Sequence, residues 1–339
     1  MHNLFSCTGD NEGKLNATRE LQTDSLELAR RRFRDELVEA QFLVPMGIDG
    51  LYGRGGVFEQ IVEGIDRVVC RKGQAVYGSR PTCLRFPPLL TREAFEKTDY
   101  IASFPNLTGA ISTFIGDNKD HSALLADRDA GRSWDGHLSP AGTMLVSSAC
   151  HPCYATLPSV LPASGALLDI YGYCFRHEPA VDPARMQAFR MHEYVMVGTP
   201  EQAQSHRDSW VRYGLEVLRE LGLEATDTPA NDPFFGRLGK LLATNQLDEN
   251  LKTELTVRLY DELDDGTAVV SSNCHRDHFG STFGLSTATG EVAHSACVGF
   301  GMERIALALI RTHGFDPRSW PAHVRASMGW GDEAGRAGV

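Results

Sequence analysis

The sequence has no apolar run approaching the roughly 20 residues that a helix needs to cross a bilayer. Its first residues, MHNLFSCTGDNEGK, hold no apolar signal-peptide core. These two absences point to a soluble cytoplasmic protein with no membrane partner. An excess of positive charge is missing as well. The formal net charge is −11, which argues against a surface that grips nucleic acid everywhere. Cysteine is sparse: Cys7, Cys70, Cys83, Cys150, Cys153, Cys174, Cys274 and Cys297 are scattered over 339 residues, which excludes the disulfide framework of a small secreted domain. No internal repeat of the solenoid kind is visible. What remains is an ordinary globular composition, 42% hydrophobic and 23% charged, with material for a substantial core in one large domain or two.

The stretch from Tyr173 to Val197, YCFRHEPAVDPARMQAFRMHEYVMV, reads as two antiparallel strands joined by a loop. Pro179 and Pro183 forbid a regular ladder in the loop. Phe189, Met191, Tyr194 and Met196 give the return half its apolar pattern. Arg176, Arg185, Glu178, Glu193 and Phe189 converge on this hairpin. A planar guanidinium suits phosphate oxygens, and an aromatic face suits a flat base. Taken alone, the stretch reads equally well as an edge hairpin with solvated charges.

Residues 1 to about 22 are polar and aperiodic, the pattern of a loose arm. Leu26, Ala29, Phe33, Leu37 and Ala40 then mark an amphipathic helix over about 25–42, with Arg30, Arg31, Arg32 and Arg34 exposed along it. Such a basic run is usually a solvated face, and docking of an acidic partner is the other reading. A second helix is predicted over 57–71, on the spacing of Val57, Ile61, Ile65, Val68 and Val69. A short strand follows from Cys83 to Phe86, stopped by Pro87 and Pro88. Residues 91–98 read as a short helix, 99–105 as strand or loop, and about 116–141 as a surface loop. The segment 147–154 gathers Cys150, His151 and Cys153. A long helix runs from Pro200 to about Leu221, a connector over 225–230, and a helical insertion over 233–250. Strands are predicted near 253–260, 267–273 and 291–298. Within 271–285, Asn273, Cys274, His275, Asp277 and His278 could face a site. The tail past Trp330 reads as disordered.

The motif GFGMER at 299–304 lacks the third glycine of a dinucleotide loop, and no second parallel strand follows it. Gly299 and Gly301 are expected to let the backbone turn tightly from strand into helix. Arg304 then projects from the first helical turn, a fixed cation where an anion would sit.

Together these pieces resemble the catalytic core of class II aminoacyl-tRNA synthetases. FRHEP with Arg185 and Phe189 is similar to that family's second motif, and GFGMERIALAL to its third. The helix at 57–71 and the strand ending at Pro87 are similar to its first motif, which builds the dimer interface. The resemblance covers roughly residues 45–325. It implies an α+β fold, an antiparallel sheet flanked by helices, holding a bent ATP. The implied organisation is an N-terminal arm and helix over 1–45, a catalytic domain over 46–325 with a helical insertion at about 199–250, and a tail over 326–339. The resemblance gives Arg176 the α-phosphate, Glu178 the adenine amino group, and Phe189 one adenine face. Arg304 takes the other face or the γ-phosphate, and Arg185 the terminal phosphates. Catalysis would be positioning plus electrostatic stabilisation, with Arg176 and Arg304 the catalytic cations. The family's acidic Mg²⁺ ligands have no counterpart near 267–273, and Glu254 could substitute.

Cys150 before the second motif, Glu193 on its return strand and Cys297 before the third occupy positions similar to the zinc ligands of atypical seryl-tRNA synthetases. The amino acid:[carrier protein] ligases share those positions. Two thiolates and a carboxylate would leave a fourth position for the substrate's amine. Cys153 and Cys274 are competing thiols, Cys274 the nearer substitute, and Cys150-His-Pro-Cys153 also has the form of a redox CxxC.

The compact core, without the parts that grip tRNA, resembles the carrier-protein ligases. That resemblance implies a zinc-dependent homodimer and argues against tRNA as acceptor. It implies that ATP activates glycine or alanine as the aminoacyl-adenylate. The aminoacyl group then passes to the phosphopantetheine thiol of an acyl or peptidyl carrier protein, docked by Arg30 to Arg34 or by the helices at 200–250. A tRNA-aminoacylating enzyme of the atypical seryl type and a non-catalytic paralogue are the alternatives.

Overall fold

The computed structural model describes residues 9–78, 81–230 and 251–331. The predicted insertion at 233–250 and most of the tail lie outside them. In chain order the helices and strands are α1 (Gly9–Glu39), β1 (Leu43–Pro45), β2 (Tyr52–Arg54), α2 (Gly56–Tyr77), β3 (Thr82–Leu84), β4 (Leu89–Thr91), α3 (Arg92–Glu96), α4 (Tyr100–Ser103), β5 (Ala110–Phe114), α5 (Asn118–Asp129), β6 (Leu138–Leu145), β7 (Ala166–Phe175), β8 (Ala188–Gly198), α6 (Pro200–Glu220), β9 (Thr226–Pro229), β10 (Lys252–Val257), β11 (Thr267–Arg276), α7 (His278–Phe283), β12 (His294–Gly301), α8 (Met302–His313) and α9 (Ala322–Ser327).

A seven-stranded sheet in the order β3-β7-β8-β12-β11-β10-β9 forms the centre. Only β3 pairs in parallel, with β7; every other pairing in it is antiparallel. Side chains alternate between the two faces of a strand, and the alternation here divides core from cleft. From β8 and β12, Tyr194, Val298 and Phe300 point to one face. There they pack with Ile61, Ile65 and Val69 of α2, Trp210 of α6, and Ile305 and Leu309 of α8. Glu193, Cys297 and Gly299 point the other way and line a cleft. A second, three-stranded sheet, β4-β6-β5, stands beside the first.

Several sequence expectations give way here. Residues 9–22, read as part of a loose arm, are helical: α1 begins at Gly9 and ends at Glu39, before the left-handed Gln41. Phe33 and Leu37 of α1 join the same core as the sheet. Arg30 is not simply exposed, because it pairs with the buried Asp182 at 3.1 Å, whereas Arg31 and Arg32 are exposed. Residues 100–103 are a turn of helix. The loop expected at 116–141 contains α5 and the start of β6. Asp117 and Asp120 form a capping box that starts α5 without any buried apolar face, so no helical stripe announces it. The connector at 225–230 is the edge strand β9, which carries no buried residue. The predicted helix at 57–71 runs on to Tyr77, where Gly78 in the left-handed region closes it.

Candidate active site

The cleft on the open face of the sheet has a volume of about 500 Å³ and is walled by β8, β10, β11 and β12. Its floor follows from the GFG run of β12. Phe300 plunges into the core against Trp210, with ring centroids 5.8 Å apart. Gly299 and Gly301 face the cleft on either side of it. The chain passes directly from strand into helix as expected, with Gly301 both the last residue of β12 and the N-cap of α8, but neither glycine needs a positive φ to do so. At Gly299 the missing side chain matters. A Cβ on Gly299 would stand 2.4 Å from the Met191 Cε, so the strand gives up its side chain here to let Met191 lie across the floor.

At one end, Cys150, Glu193 and Cys297 come together from three separate elements. Their ligand atoms lie within 4.8 Å of one another, and all three residues are buried. Cys150 is placed by the turn before a short 3₁₀ helix, His151–Thr156. Glu193 and Cys297 sit on adjacent strands, with Glu193 opposite Gly299. Glu193 Oε1 accepts the Ala149 N–H at 2.9 Å. Burial, and then Cys297, push the Glu193 carboxyl up to about 7. The hydrogen bond between the two thiols holds Cys150 well above and Cys297 well below the ordinary thiol range. Burial reinforces the first and opposes the second, and His275 further favours the Cys297 thiolate. Two thiols that separate their acidities in this way, beside a buried carboxyl, form a donor set that fits a tetrahedral Zn²⁺ site with an open position. Behind Cys297 stand His275 Nε2 and the Asn273 amide, each 3.5 Å from its Sγ. Among the described residues, Cys153 and Cys274 belong to no such cluster. Cys153 is wholly buried.

The other end of the cleft is cationic. Arg304, on the first turn of α8, donates from Nε to the Ala184 carbonyl at 2.9 Å and from Nη1 to the Ala268 carbonyl at 3.0 Å. Burial, and then the charges of Arg176 and Arg185, pull its guanidinium below the usual arginine range. Three arginines thus crowd one region, a potential that favours a polyanion. Arg176 lies over the Phe189 ring, 5.4 Å from its centroid, and donates to the Ser147 carbonyl at 3.2 Å. Arg185 pairs with Glu178 at 2.9 Å. Glu254 faces the cleft from β10, paired with Lys252 at 3.0 Å and in register with Ser271.

No family model matches the chain. It is 42% identical over 286 residues to amino acid–[acyl-carrier-protein] ligase 1 of Bradyrhizobium diazoefficiens, covering 84% of this chain and 86% of that protein. It is 41% identical over 297 residues to ligase 2 of the same bacterium, covering 87% of each. The chain belongs to the amino acid–[acyl-carrier-protein] ligase family. A more distant relative of this ligase is the type-2 serine–tRNA ligase of Methanococcus aeolicus, 26% identical over 262 residues, of which the chain spans only 50%. Among solved structures, the seryl-tRNA synthetase of M. kandleri in complex with A. aeolicus tRNASec superposes with a TM-score of 0.74 at 20% identity, covering 87% of this chain and 60% of that one. A cytoplasmic serine–tRNA ligase of Naegleria fowleri in complex with AMP superposes with a TM-score of 0.64 at 14% identity, covering 88% of this chain and 59% of that one. The fold is that of the class II aminoacyl-tRNA synthetases.

The nine residues given a binding, catalytic or metal role from the sequence all line this one cleft; of the further candidates in 271–285, Asn273, Cys274, His275 and His278 line it and Asp277 does not. Sequence reasoning missed what holds the two ends in register. Glu303, on the first turn of α8, is buried. Its carboxylate accepts the Arg190 backbone N–H and Nε, both at 2.7 Å, and faces Arg54 Nε at 3.3 Å. Arg190 reaches on to Glu59 of α2 at 2.5 Å. This chain of alternating charges fixes β8, which carries Phe189, against α8, which carries Arg304. The signal was visible only as an ordinary Glu and an ordinary Arg, 113 positions apart. The opposite rim holds His278, which was expected to face a site, together with Asp99 and Tyr100, which were not.

Proposed function

We propose that this ligase activates glycine or alanine with ATP as the aminoacyl-adenylate and transfers the aminoacyl group to the phosphopantetheine thiol of a carrier protein. One observation carries the reading: a buried Cys150–Glu193–Cys297 cage and an arginine cluster occupy the two ends of one cleft. An amino acid with its amine at the cage end points its carboxylate toward the cations.

In the first step a substrate carboxylate oxygen attacks the α-phosphorus of ATP. The acyl–phosphate bond forms and pyrophosphate leaves. Arg176 holds the α-phosphate and offsets the charge that develops there. Arg304, pinned by two carbonyls, keeps its position without reorganising and takes the adenine face or the γ-phosphate. Phe189 stacks on the base, Glu178 accepts from the adenine amine, and Arg185 leaves Glu178 for the terminal phosphates. Glu254, the acidic residue lining the cleft from β10, would hold the Mg²⁺ that accompanies the nucleotide. In the second step the carrier's thiol sulfur attacks the carbonyl carbon, a thioester forms as the acyl–phosphate bond breaks, AMP leaves with that bond's electron pair, and the thiol proton passes to solvent. Zn²⁺ held by Cys150, Glu193 and Cys297 would supply a Lewis-acidic position for the free amine. Met191 lying across Gly299 shortens the floor, which favours a small side chain.

A homodimer fits the apolar residues on β1, the loop after it and the start of α2, where Val44, Met46, Ile48 and Val57 are about half exposed. No helix among the described residues is long and apolar enough to cross a membrane, and ATP and a pantetheine-bearing carrier suit a cytoplasmic enzyme. Purified protein given ATP, labelled glycine or alanine, a carrier protein and tRNA together tests the acceptor. Label on the carrier, released by hydroxylamine, is the expected result. Label on tRNA with the carrier unlabelled would replace this reading with a tRNA-charging one.

A further inference from the structure

On the side of the sheet away from the cleft, a second group of donors meets. Asp66 and Cys70 lie on α2 four residues apart, hence on one helix face. His192, one residue before Glu193, points from β8 to the opposite side and meets them. The ligand atoms of Asp66, Cys70 and His192 lie within 4.8 Å of one another. We propose that these three residues form a second metal site, taking Zn²⁺ or a chemically similar divalent transition ion.

The donor set supports that class. A thiol, an imidazole and a carboxylate form the mixed sulfur–nitrogen–oxygen set that zinc accepts, whereas Mg²⁺ and Ca²⁺ call for oxygen alone. His192 is preorganised for the task. Its side chain is fully buried and is held between Tyr171 and Tyr194, with ring centroids 5.9 and 5.0 Å away. Its Nδ1 stands 2.7 Å from Asp66 Oδ1, on the side where Cys70 Sγ lies 3.9 Å from Asp66 Oδ2. Its Nε2 has no hydrogen-bond partner of good geometry, but points toward Asp169 Oδ1 at 3.4 Å. A ligating histidine ordinarily gives its second ring N–H to a carboxylate, which fixes ring and tautomer. Here Nδ1 would ligate and Nε2–H would donate to Asp169. Arg85, bound to Asp169 at 2.9 Å, holds that carboxylate in place. Asp66 is about one-third exposed, so an ion can enter, and three protein ligands leave one position for water. An ion there would brace α2 against β8 directly behind Glu193. The alternative, a metal-free clamp in which His192 simply bridges two carboxylates, uses the same residues and needs no thiol.

The role of Cys70 therefore separates the two. The full chain is stripped with chelator, reloaded with Zn²⁺ and freed of excess, and its bound zinc is counted by mass spectrometry. Cys70→Ser is expected to lose about one zinc per chain relative to the unmodified protein, and Asp66→Asn to do the same. The Cys150→Ser/Cys297→Ser variant should retain that ion. Loaded with Co²⁺, it should show a thiolate-to-cobalt charge-transfer band that vanishes when Cys70→Ser is added. Unchanged zinc content in Cys70→Ser overturns the proposal. If the double variant does not fold, the comparison of the unmodified chain with Cys70→Ser alone decides. This count is independent of the cage: were the cage to hold nothing, the unmodified chain would still carry the ion that depends on Cys70.

Discussion

Replacing Glu193 by glutamine should remove a specific pH dependence from the metal-free protein. Glu193 is fully buried beside two thiols, and its carboxyl is raised from 4.5 to about 7 by burial and by Cys297. A carboxyl with a raised folded-state pKa is protonated in the fold. Its contribution to stability is therefore fully present below the unfolded pKa and is lost as pH rises through about 7. Between about pH 5.5 and pH 7.5 this linkage removes about 2 kcal/mol. For a chain of 339 residues, that lowers the melting temperature by roughly 2–3 °C. Glutamine keeps an oxygen for the Ala149 N–H but cannot ionise. Melting temperatures of chelator-treated protein, measured across this window, should fall with pH more steeply in the natural chain than in Glu193→Gln by that amount. Saturating Zn²⁺ should abolish or reverse the difference, because a ligated carboxylate has already given up its proton. Identical slopes in the two proteins would refute the reasoning, since other groups would then account for the pH dependence.

Arg304→Ala should slow amino-acid-dependent pyrophosphate exchange by about 10²–10³-fold, the usual loss when one preorganised charge partner of a transition state is removed, with bound zinc unchanged. Cys150→Ala should lose the cage metal and the exchange activity together. Cys153→Ala should keep both, at a folding cost of about 1 kcal/mol for the small void, seen as a modest drop in melting temperature; loss of metal would show that the wrong thiol was chosen. Gly299→Ala should fold, because the thioether of Met191 can swing aside, but should raise the KM for the amino acid more than that for ATP. Glu303→Gln breaks a buried pair and should cost about 3–5 kcal/mol of stability, measured by denaturant titration.

The parts of the site legible in the sequence were those with local signals. FRHEP and GFGMER carry their charges within a few residues of a strand end or helix start, so their placement followed from short-range pattern. The cage drew on three distant segments, and no spacing rule links Cys150 to Cys297. Family resemblance, not periodicity, paired them. The turn from strand into helix expected at GFGMER is present, but the reason for Gly299 was not legible. A glycine missing its side chain for clearance and one needing a positive φ look identical in sequence, and only the approach of Met191 distinguishes them. The helix at 118–129 and the strand at 226–229 were missed because neither buries a residue, so no hydrophobic period existed to be read. The Arg54–Glu303–Arg190–Glu59 chain left no trace at all, because charge pairing across a tertiary contact has no period.

The most direct measurement is exchange of labelled pyrophosphate into ATP by the purified, zinc-loaded protein, run separately with each of the amino acids. The account predicts exchange with glycine or alanine, little with bulky side chains, and none once Arg176 or Cys297 is replaced by alanine. Exchange with no amino acid at all, or undiminished exchange in Cys297→Ala, would contradict it.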